Sequence, residues 1–320
     1  MRVTVVGAGV IGLTSAMRLA EAGHQVRVVA AEPPEQTTSA VAAAVWYPYR
    51  AFPEQLVTGW SARSYHHLAR LATVPGTGVR MRWGRELRRT PAADPWWRSA
   101  VPEFTRLDGD DLPAGYRDGW RMRVPVVDMS RHLPWLRQRL VDLGVPLTLR
   151  RLDTLADADP ADVVVNCTGL GARELVGDGQ LTPVRGQVLV VEQFGLTEWV
   201  LDDSDEARPT YVIPREETVI LGGTAEEGAE DLTPRPEVAE EIRRRCAALV
   251  PAAADARVLA HRVGLRPARP TVRLERDATA DRPVVHCYGH GGAGVTLSYG
   301  CAEEVVALVA SLADTAGPQR

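Results

Sequence analysis

The feature that most constrains this chain is the run Gly7-Ala8-Gly9-Val10-Ile11-Gly12 together with what flanks it. Residues 2–6 (RVTVV) are β-branched and apolar, as in a short buried strand stopped by glycine. Residues 10–22 carry a helical apolar period, and Gly23 suits the position just past a helix end. Residues 25–30 (QVRVVA) read as a second strand. Strand, glycine turn, helix and strand in this compass make the β-α-β unit that begins a doubly wound parallel sheet, and the spacing is that of a dinucleotide-binding loop. Gly7 permits the tight turn, Gly9 lets backbone approach a pyrophosphate, and Gly12 lets helix and strand pack closely. The helix N-terminus offers N–H groups and partial positive charge to phosphate. Glu32 stands twenty residues past Gly12, where it can accept hydrogen bonds from ribose hydroxyls or remain a solvated loop carboxylate. A carboxylate there opposes a 2′-phosphate.

The rest of the chain mixes two textures. Residues 75–128 are rich in Trp, Pro, Arg and Gly and read as loops and antiparallel strands. Residues 130–143 read as a helix with Ser130 near its N-cap and Pro134 either in the first turn or breaking it. Residues 145–152 and 162–169 read as strands returning to the first sheet. Residues 185–192, 210–216 and 218–224 are strand-like with no helix between them, which suggests an antiparallel sheet in a second domain. A helix at 237–249, a strand at 284–289, a glycine turn at 289–294 and a helix at 297–313 follow. The fold class expected is α/β with an α+β second domain. A Rossmann-like dinucleotide-binding domain (1–74, 129–184 and 262–320), whose glycine fingerprint leaves FAD or NAD open, joins a mixed or antiparallel-sheet substrate domain (75–128 and 185–261).

Bulk properties exclude several classes. At 320 residues and a net charge of −4, there is no banked basic run, so nucleic acid is not an expected partner. Cys167, Cys246, Cys287 and Cys301 form no C-x-x-C or zinc spacing, so buried free thiols in a reducing compartment are expected, and no metal site. The N-terminus lacks a signal-peptide pattern, and no apolar run reaches the roughly 18 residues of a membrane span. A cytoplasmic location with no membrane partner is the expectation, with a homodimer left open.

Three further stretches carry chemistry. Residues 37–48 (TTSAVAAAVWYP) combine Thr37, Thr38 and Ser39, which can donate to phosphates, with small residues that allow close backbone approach; an N-capped alanine-rich helix fits them equally well. Residues 288–296 (YGHGGAGVT) hold four glycines between strand and helix, a backbone-only binding surface. His290 there reads as a loop-fixing residue rather than a base. Residues 263–270 (VGLRPARP) stiffen two arginines between prolines; alone, they would pass for a solvated turn.

Taken with NCTG (166–169), RGQ (185–187), TYVIP (210–214), LGGT (221–224) and GLRPARPTVRLE (264–275), these motifs resemble the D-amino-acid oxidase family over nearly the whole chain. The resemblance implies non-covalent FAD. It also implies oxidative deamination of D-amino acids, by hydride transfer from Cα to flavin N5 and reoxidation by O2 to hydrogen peroxide. By match to the family motifs, Arg266 grips the substrate α-carboxylate, Tyr211 hydrogen-bonds it, and the Gly292 carbonyl accepts from the amine. Arg266 suits the task because guanidinium is planar, always charged and bidentate, and Pro267 biases its backbone to extended conformations. Gly291, Gly294, Val295 and Thr296 match backbone contacts to the isoalloxazine. Thr37, Thr38, Ala43, Ala44 and Val45 match FAD contacts, and Leu152 reaches the adenine through its backbone. Arg269 is expected to be structural.

The chain departs from the family pattern at residues 201–210 (LDDSDEARPT), which hold no lid tyrosine. A shorter, more open gate is expected. Arg208 there is either a solvated arginine among Asp202, Asp203, Asp205 and Glu206 or an attractor of acidic substrates. Neutral, bulky or basic D-amino acids are the expected substrates. A D-aspartate oxidase, a glycine or sarcosine oxidase-like enzyme and a non-catalytic FAD sensor are the alternatives.

Overall fold

Short β-branched runs from the start, middle and end of the chain lie side by side, as hydrophobic strands buried on both faces must. The computed structural model describes residues 1–158, 160–202, 204–277 and 282–315. Its first elements are β1 (Arg2–Val6), α1 (Val10–Glu21), β2 (Gln25–Ala30), α2 (Thr38–Val41), α3 (Glu54–Leu71), β3 (Val79–Arg88), β4 (Phe104–Arg106), β5 (Asp118–Val127) and α4 (Met129–Asp142). Then come β6 (Leu147–Leu149), β7 (Val163–Asn166), α5 (Ala172–Leu175), β8 (Thr182–Glu192), β9 (Trp199–Asp202), β10 (Thr210–Pro214), β11 (Thr218–Gly222) and β12 (Glu226–Glu227). The last are α6 (Pro236–Leu249), β13 (Val258–Ala268), β14 (Arg273–Asp277), β15 (Val284–Tyr288) and α7 (Gly294–Thr315).

The first sheet has the order β14-β15-β7-β1-β2-β6, parallel except where β14 meets β15. Its β1 lies between β2 and β7, so the turn after β1 opens at the point where strand order reverses, the place where such sheets bind ligands. The second sheet has the order β12-β8-β11-β10-β9-β3-β5-β4, with β13 also on β8; it is antiparallel except for the parallel pair β3–β9. The mixed sheet expected is therefore present. The chain divisions expected at 184/185 and 261/262 fall inside β8 and β13. Those two strands pair from Val258 opposite Val191 to Ala268 opposite Thr182, with one register shift between Val258 and Ala260.

Local chemistry explains the other departures. Asp128, not Ser130, caps α4, its carboxylate accepting from the Ser130 N–H at 3.1 Å. Pro134 leaves α4 intact because the carbonyl it deprives of a donor, that of Ser130, lies on the exposed side. Apolar periodicity does not reveal α3, whose buried stripe is Val57, Trp60, Ser61, Ser64, Tyr65 and Leu68. The serines break the apolar signal but serve close packing: Ser64 Oγ accepts from the Gly300 N–H of α7 at 2.8 Å. Helix α7 itself is long and apolar enough over Gly294–Leu312 to meet the length and hydropathy of a membrane span, against the expectation that no segment would. Leu297, Tyr299, Cys301, Val305 and Val309 are buried there in the same core as α1 and α3 residues.

At the crossing of α3 and α7, a Cβ on Gly300 would collide with the backbone of Trp60. Backbone cannot swing aside as a side-chain tip can. Gly300→Val is expected to lower stability by about 1–3 kcal/mol, the range of overpacked cores, read as a lower denaturation midpoint. A midpoint equal to wild type would contradict the crossing.

Candidate active site

One cavity of about 540 Å³ runs from the carboxyl ends of β1 and β2 to the face of the second sheet. It is lined by Gly7, Ala8, Gly9, Val10, Ile11, Glu32, Thr37, Thr38, Ser39, Ala43, Ala44, Val45, Leu152, Tyr211, Arg266, Gly291, Gly292, Gly294, Val295 and Thr296. Every expected site residue except Gly12 thus faces one space. Gly12 acts from behind: a Cβ there would strike the Gly7 carbonyl, so its part is helix–strand packing. Gly7 has φ +114°, and a Cβ on it would also strike the Cys167 carbonyl.

The end near β1 has the chemistry of a phosphate cradle. Helix α1 starts at Gly9 with no side-chain cap and no acidic residue in its first turn. Ser39 Oγ accepts from the Val10 N–H at 3.0 Å, which leaves its own proton for a ligand. The expectation for the two threonines needs correction. Thr37 donates to the Pro34 carbonyl at 2.7 Å and Thr38 to the Leu265 carbonyl at 3.0 Å, so their hydroxyl protons are taken up by the fold. Their contribution to the cradle is backbone and shape. Thr296 is likewise engaged, its Oγ1 accepting from Tyr47 N and donating to Tyr47 O, both at 3.0 Å. Glu32 lies exposed at the end of β2, and Leu152 sits in the apolar cluster with Val6, Val29 and Val164. The N-terminus of α1, an exposed carboxylate at the end of β2 and a glycine loop along one cavity fit FAD.

The other end holds a cation. Arg266 lies on β13 opposite Val184, and Pro267 pairs with Pro183, so the stretch is an extended edge strand rather than a turn. A Cβ at Gly186 would stand 2.6 Å from both Nη atoms of Arg266; the guanidinium is seated where a side chain is missing. The flanks of that seat are fixed. Arg185 is fully buried and binds Glu226 Oε1 at 2.8 Å, and Gln187 N donates to Thr224 Oγ1 at 3.0 Å. Arg266 Nη1 donates to the Thr224 carbonyl at 2.9 Å, and the guanidinium lies beside the Tyr211 phenol, whose titration its charge influences. Among the described residues, no carboxylate lies within ion-pair distance of Arg266. Tyr211 stays a neutral donor: burial pushes its phenol up, against the pull of the Arg266 charge.

The glycine loop after β15 closes on this clamp. Gly291 N donates to the Pro267 carbonyl at 2.9 Å. Gly292 lies between Tyr49 and Arg266: a Cβ on it would meet the Tyr49 ring at 2.6 Å and Arg266 Cδ at 3.5 Å. His290 is buried, and burial pulls its imidazole down to about 4, which makes it a poor base at neutral pH. Arg269 faces away, bonded to Asp178 Oδ2 at 3.0 Å and the Thr271 carbonyl at 2.9 Å.

Sequence reasoning missed the walls. Tyr47 and Tyr49 line the cavity with Leu201, Pro209 and Ile213. The aromatic cover expected to be absent from 201–210 comes instead from the turn after the alanine run, and the motif YPY at 47–49 was its only signal. The Tyr49 hydroxyl reaches the Glu206 carbonyl at 3.5 Å, and Arg50 Nη2 meets Glu206 Oε2 at 3.3 Å, so the 204–208 loop rests on that turn. Arg208 points elsewhere, paired with Asp205 at 2.8 Å and Glu241 at 3.4 Å. Asp203 lies outside the described residues.

A family model described as FAD dependent oxidoreductase matches residues 2–308. The D-amino-acid oxidase of Rubrobacter xylanophilus is 53% identical over 310 residues, covering 96% of this chain and 95% of that protein. That of Streptomyces coelicolor is 52% identical over 311 residues, covering 96% of each. Among solved structures, glycine oxidase from Geobacillus kaustophilus shares the fold, with a TM-score of 0.81 at 19% identity over 97% of this chain and 95% of that one.

A Cβ at Gly9 meets only Ser39 Oγ, at 3.2 Å, so a larger side chain would project into the cradle without unfolding the turn. Gly9→Val is expected to purify folded but without flavin absorbance. A variant that keeps stoichiometric flavin would contradict the cradle.

Proposed function

The chain belongs to the FAD-dependent oxidoreductase family, and on that premise we propose that it is a D-amino-acid oxidase acting on neutral D-amino acids. The products are the 2-oxo acid, ammonia and hydrogen peroxide. The observation that carries this reading is the Arg266 guanidinium, seated over Gly186 at the cavity wall with no carboxylate of the described residues within ion-pair distance.

The chain's own residues supply orientation. Arg266 and the neutral Tyr211 hydroxyl bind the α-carboxylate, and the Gly292 carbonyl accepts from the amine. These contacts fix the plane about Cα, and the side chain must then point toward Tyr47, Tyr49, Leu201, Pro209 and Ile213. Only one enantiomer satisfies all of them with its α-hydrogen toward the loop of 291–296. Bound FAD supplies the acceptor for that hydride, with O2 as the final oxidant. No side-chain base is required when the amine reacts neutral, and the depressed His290 agrees with that. Positioning of this kind is what a protein contributes to a cofactor's chemistry. We read the FAD as bound non-covalently, with the two cavity-lining cysteines, Cys167 and Cys287, buried in the wall. The neighbouring Cys287 thiol and burial push Cys167 well above its ordinary value.

The substrate class follows from charge placement. The other charged side chains lining the cavity, Glu32, Arg150, Arg151, Asp153 and Glu174, belong to segments at the β2 and β6 ends and to α5. The side-chain walls carry hydroxyls and apolar groups. A second carboxylate would find Arg50 already paired with Glu206, which disfavours a D-aspartate oxidase.

Peroxide release from the purified holoenzyme across a panel of D- and L-amino acids tests the reading. D-Met and D-Val are expected to turn over well, D-Asp poorly and L-enantiomers not at all. Equal rates on both enantiomers would point to a glycine oxidase-like enzyme, and a flavin that no D-amino acid bleaches anaerobically would point to a sensor. Arg266→Ala is expected to keep FAD and lose about 2–5 kcal/mol in kcat/KM, the range for truncating one partner of a buried charge pair. A near-normal kcat/KM would remove Arg266 from the clamp.

A further inference from the structure

We propose that Arg245, which does not reach the cavity, is a positioning residue for the carboxylate clamp and acts through Tyr211 and Arg266; the inference rests on the clamp described above. Arg245 lies on α6 with its side chain 17% exposed. Nη1 donates to the carbonyls of Arg208 at 2.6 Å and Pro209 at 3.3 Å and to Thr210 Oγ1 at 2.9 Å. Nη2 donates to the Gly223 carbonyl at 2.9 Å. Its one carboxylate within ion-pair distance among the described residues is Glu241, 3.6 Å from Nε. The fork is therefore engaged mainly with peptide oxygens, and those oxygens flank Tyr211 on both sides.

Residues 208–210 lead into β10, Tyr211 pairs with Gly222 across to β11, and Gly223 is the next residue out. The Tyr211 ring occupies the space where Cβ atoms of Gly222 and Gly223 would stand. Gly223 N donates to the Pro209 carbonyl at 2.5 Å, closing the two segments on each other. The next residue of α6 grips the same pair: Cys246 Sγ lies 3.5 Å from Tyr211 O and 3.6 Å from Gly222 O. One residue further along, the Thr224 carbonyl takes Nη1 of Arg266. The three residues 222–224 thus carry both the seat of the Tyr211 ring and the anchor of Arg266. Arg245 ties that segment to the entry of β10.

A planar fork of fixed donors can hold carbonyls of two strands at once, which a single ammonium cannot reproduce. Loss of the fork frees Gly223 and the 208–210 lead-in to shift together.

The test is a double-mutant cycle on holoenzyme with Arg245→Met, Tyr211→Phe and both. It reads kcat, KM and the Kd of benzoate, a carboxylate with no α-hydrogen to lose, from the change in flavin absorbance. Arg245→Met is expected to keep its FAD and to raise KM and the benzoate Kd about tenfold, with kcat changed less than about threefold. Tyr211→Phe should then cost at least about threefold less when combined with Arg245→Met than alone, because the tyrosine is already misplaced. Arg245→Lys should recover part of the loss, and it serves alone if the methionine variant does not fold. Additive losses, or unchanged KM and Kd in a folded variant of either kind, overturn the proposal. The benzoate arm needs no turnover. Wild type that binds benzoate but oxidises no D-amino acid would fail the oxidase reading and leave the Arg245 cycle measurable.

Discussion

A guanidinium held in a cavity without a carboxylate to answer it is the constraint around which the second sheet is arranged. Removing a cation from water is costly unless its hydrogen bonds are met and an opposite charge is near. Arg266 meets the first requirement in part through the Thr224 carbonyl, and leaves the second to whatever enters. Such a charge stays in place only if its strand cannot shift. The long antiparallel pairing of β13 on β8, from Val258 to Ala268, supplies that rigidity. Gly186 then gives the guanidinium a flat seat, and the buried Arg185 and Gln187 on either side hold the seat to residues 224–235.

The same logic governs the cofactor end, where backbone rather than side chain makes the surface. Gly7 turns the chain at φ +114°, and the uncapped start of α1 faces the cavity. The hydroxyls of Thr37, Thr38 and Thr296 bind the protein's own carbonyls, which fixes the walls of the cradle against β13 and the turn at Tyr47. The Thr38 bond to Leu265 joins the two ends directly, since Leu265 precedes Arg266.

The local parts of this arrangement were legible in the sequence, and the long-range parts were not. The β-α-β start reads to within a residue because strand, turn and helix signals there are all short-range. Arg266 stood out through its prolines, yet the sequence could not say that it lies on a sheet edge, because register with β8 is set by residues some 80 positions away. Helix α3 was hidden because Ser61 and Ser64 replace apolar residues where Gly300 packs. The tyrosine walls were missed for a similar reason: Tyr47 and Tyr49 reach the second sheet only across the interface, where Tyr47 meets Glu86 at 3.1 Å.

All 37 basic residues of this chain are arginine, so residue type alone cannot mark which cation does the binding. Partner type can. Arg50, Arg208 and Arg269 answer Glu206, Asp205 and Asp178 respectively, and each is thereby neutralised where it stands. Arg266 and Arg245 instead donate mainly to peptide oxygens, which orient a guanidinium without cancelling its charge. Arg245 is enclosed by the carbonyls it binds, so its charge is put to orienting chain. Arg266 keeps its charge on the cavity side. With Arg50 and Arg269 near it already paired to carboxylates, the Arg266 end of the cavity offers its charge to one carboxylate, and the selection of side chains falls to shape and hydroxyl groups rather than to a second ion pair.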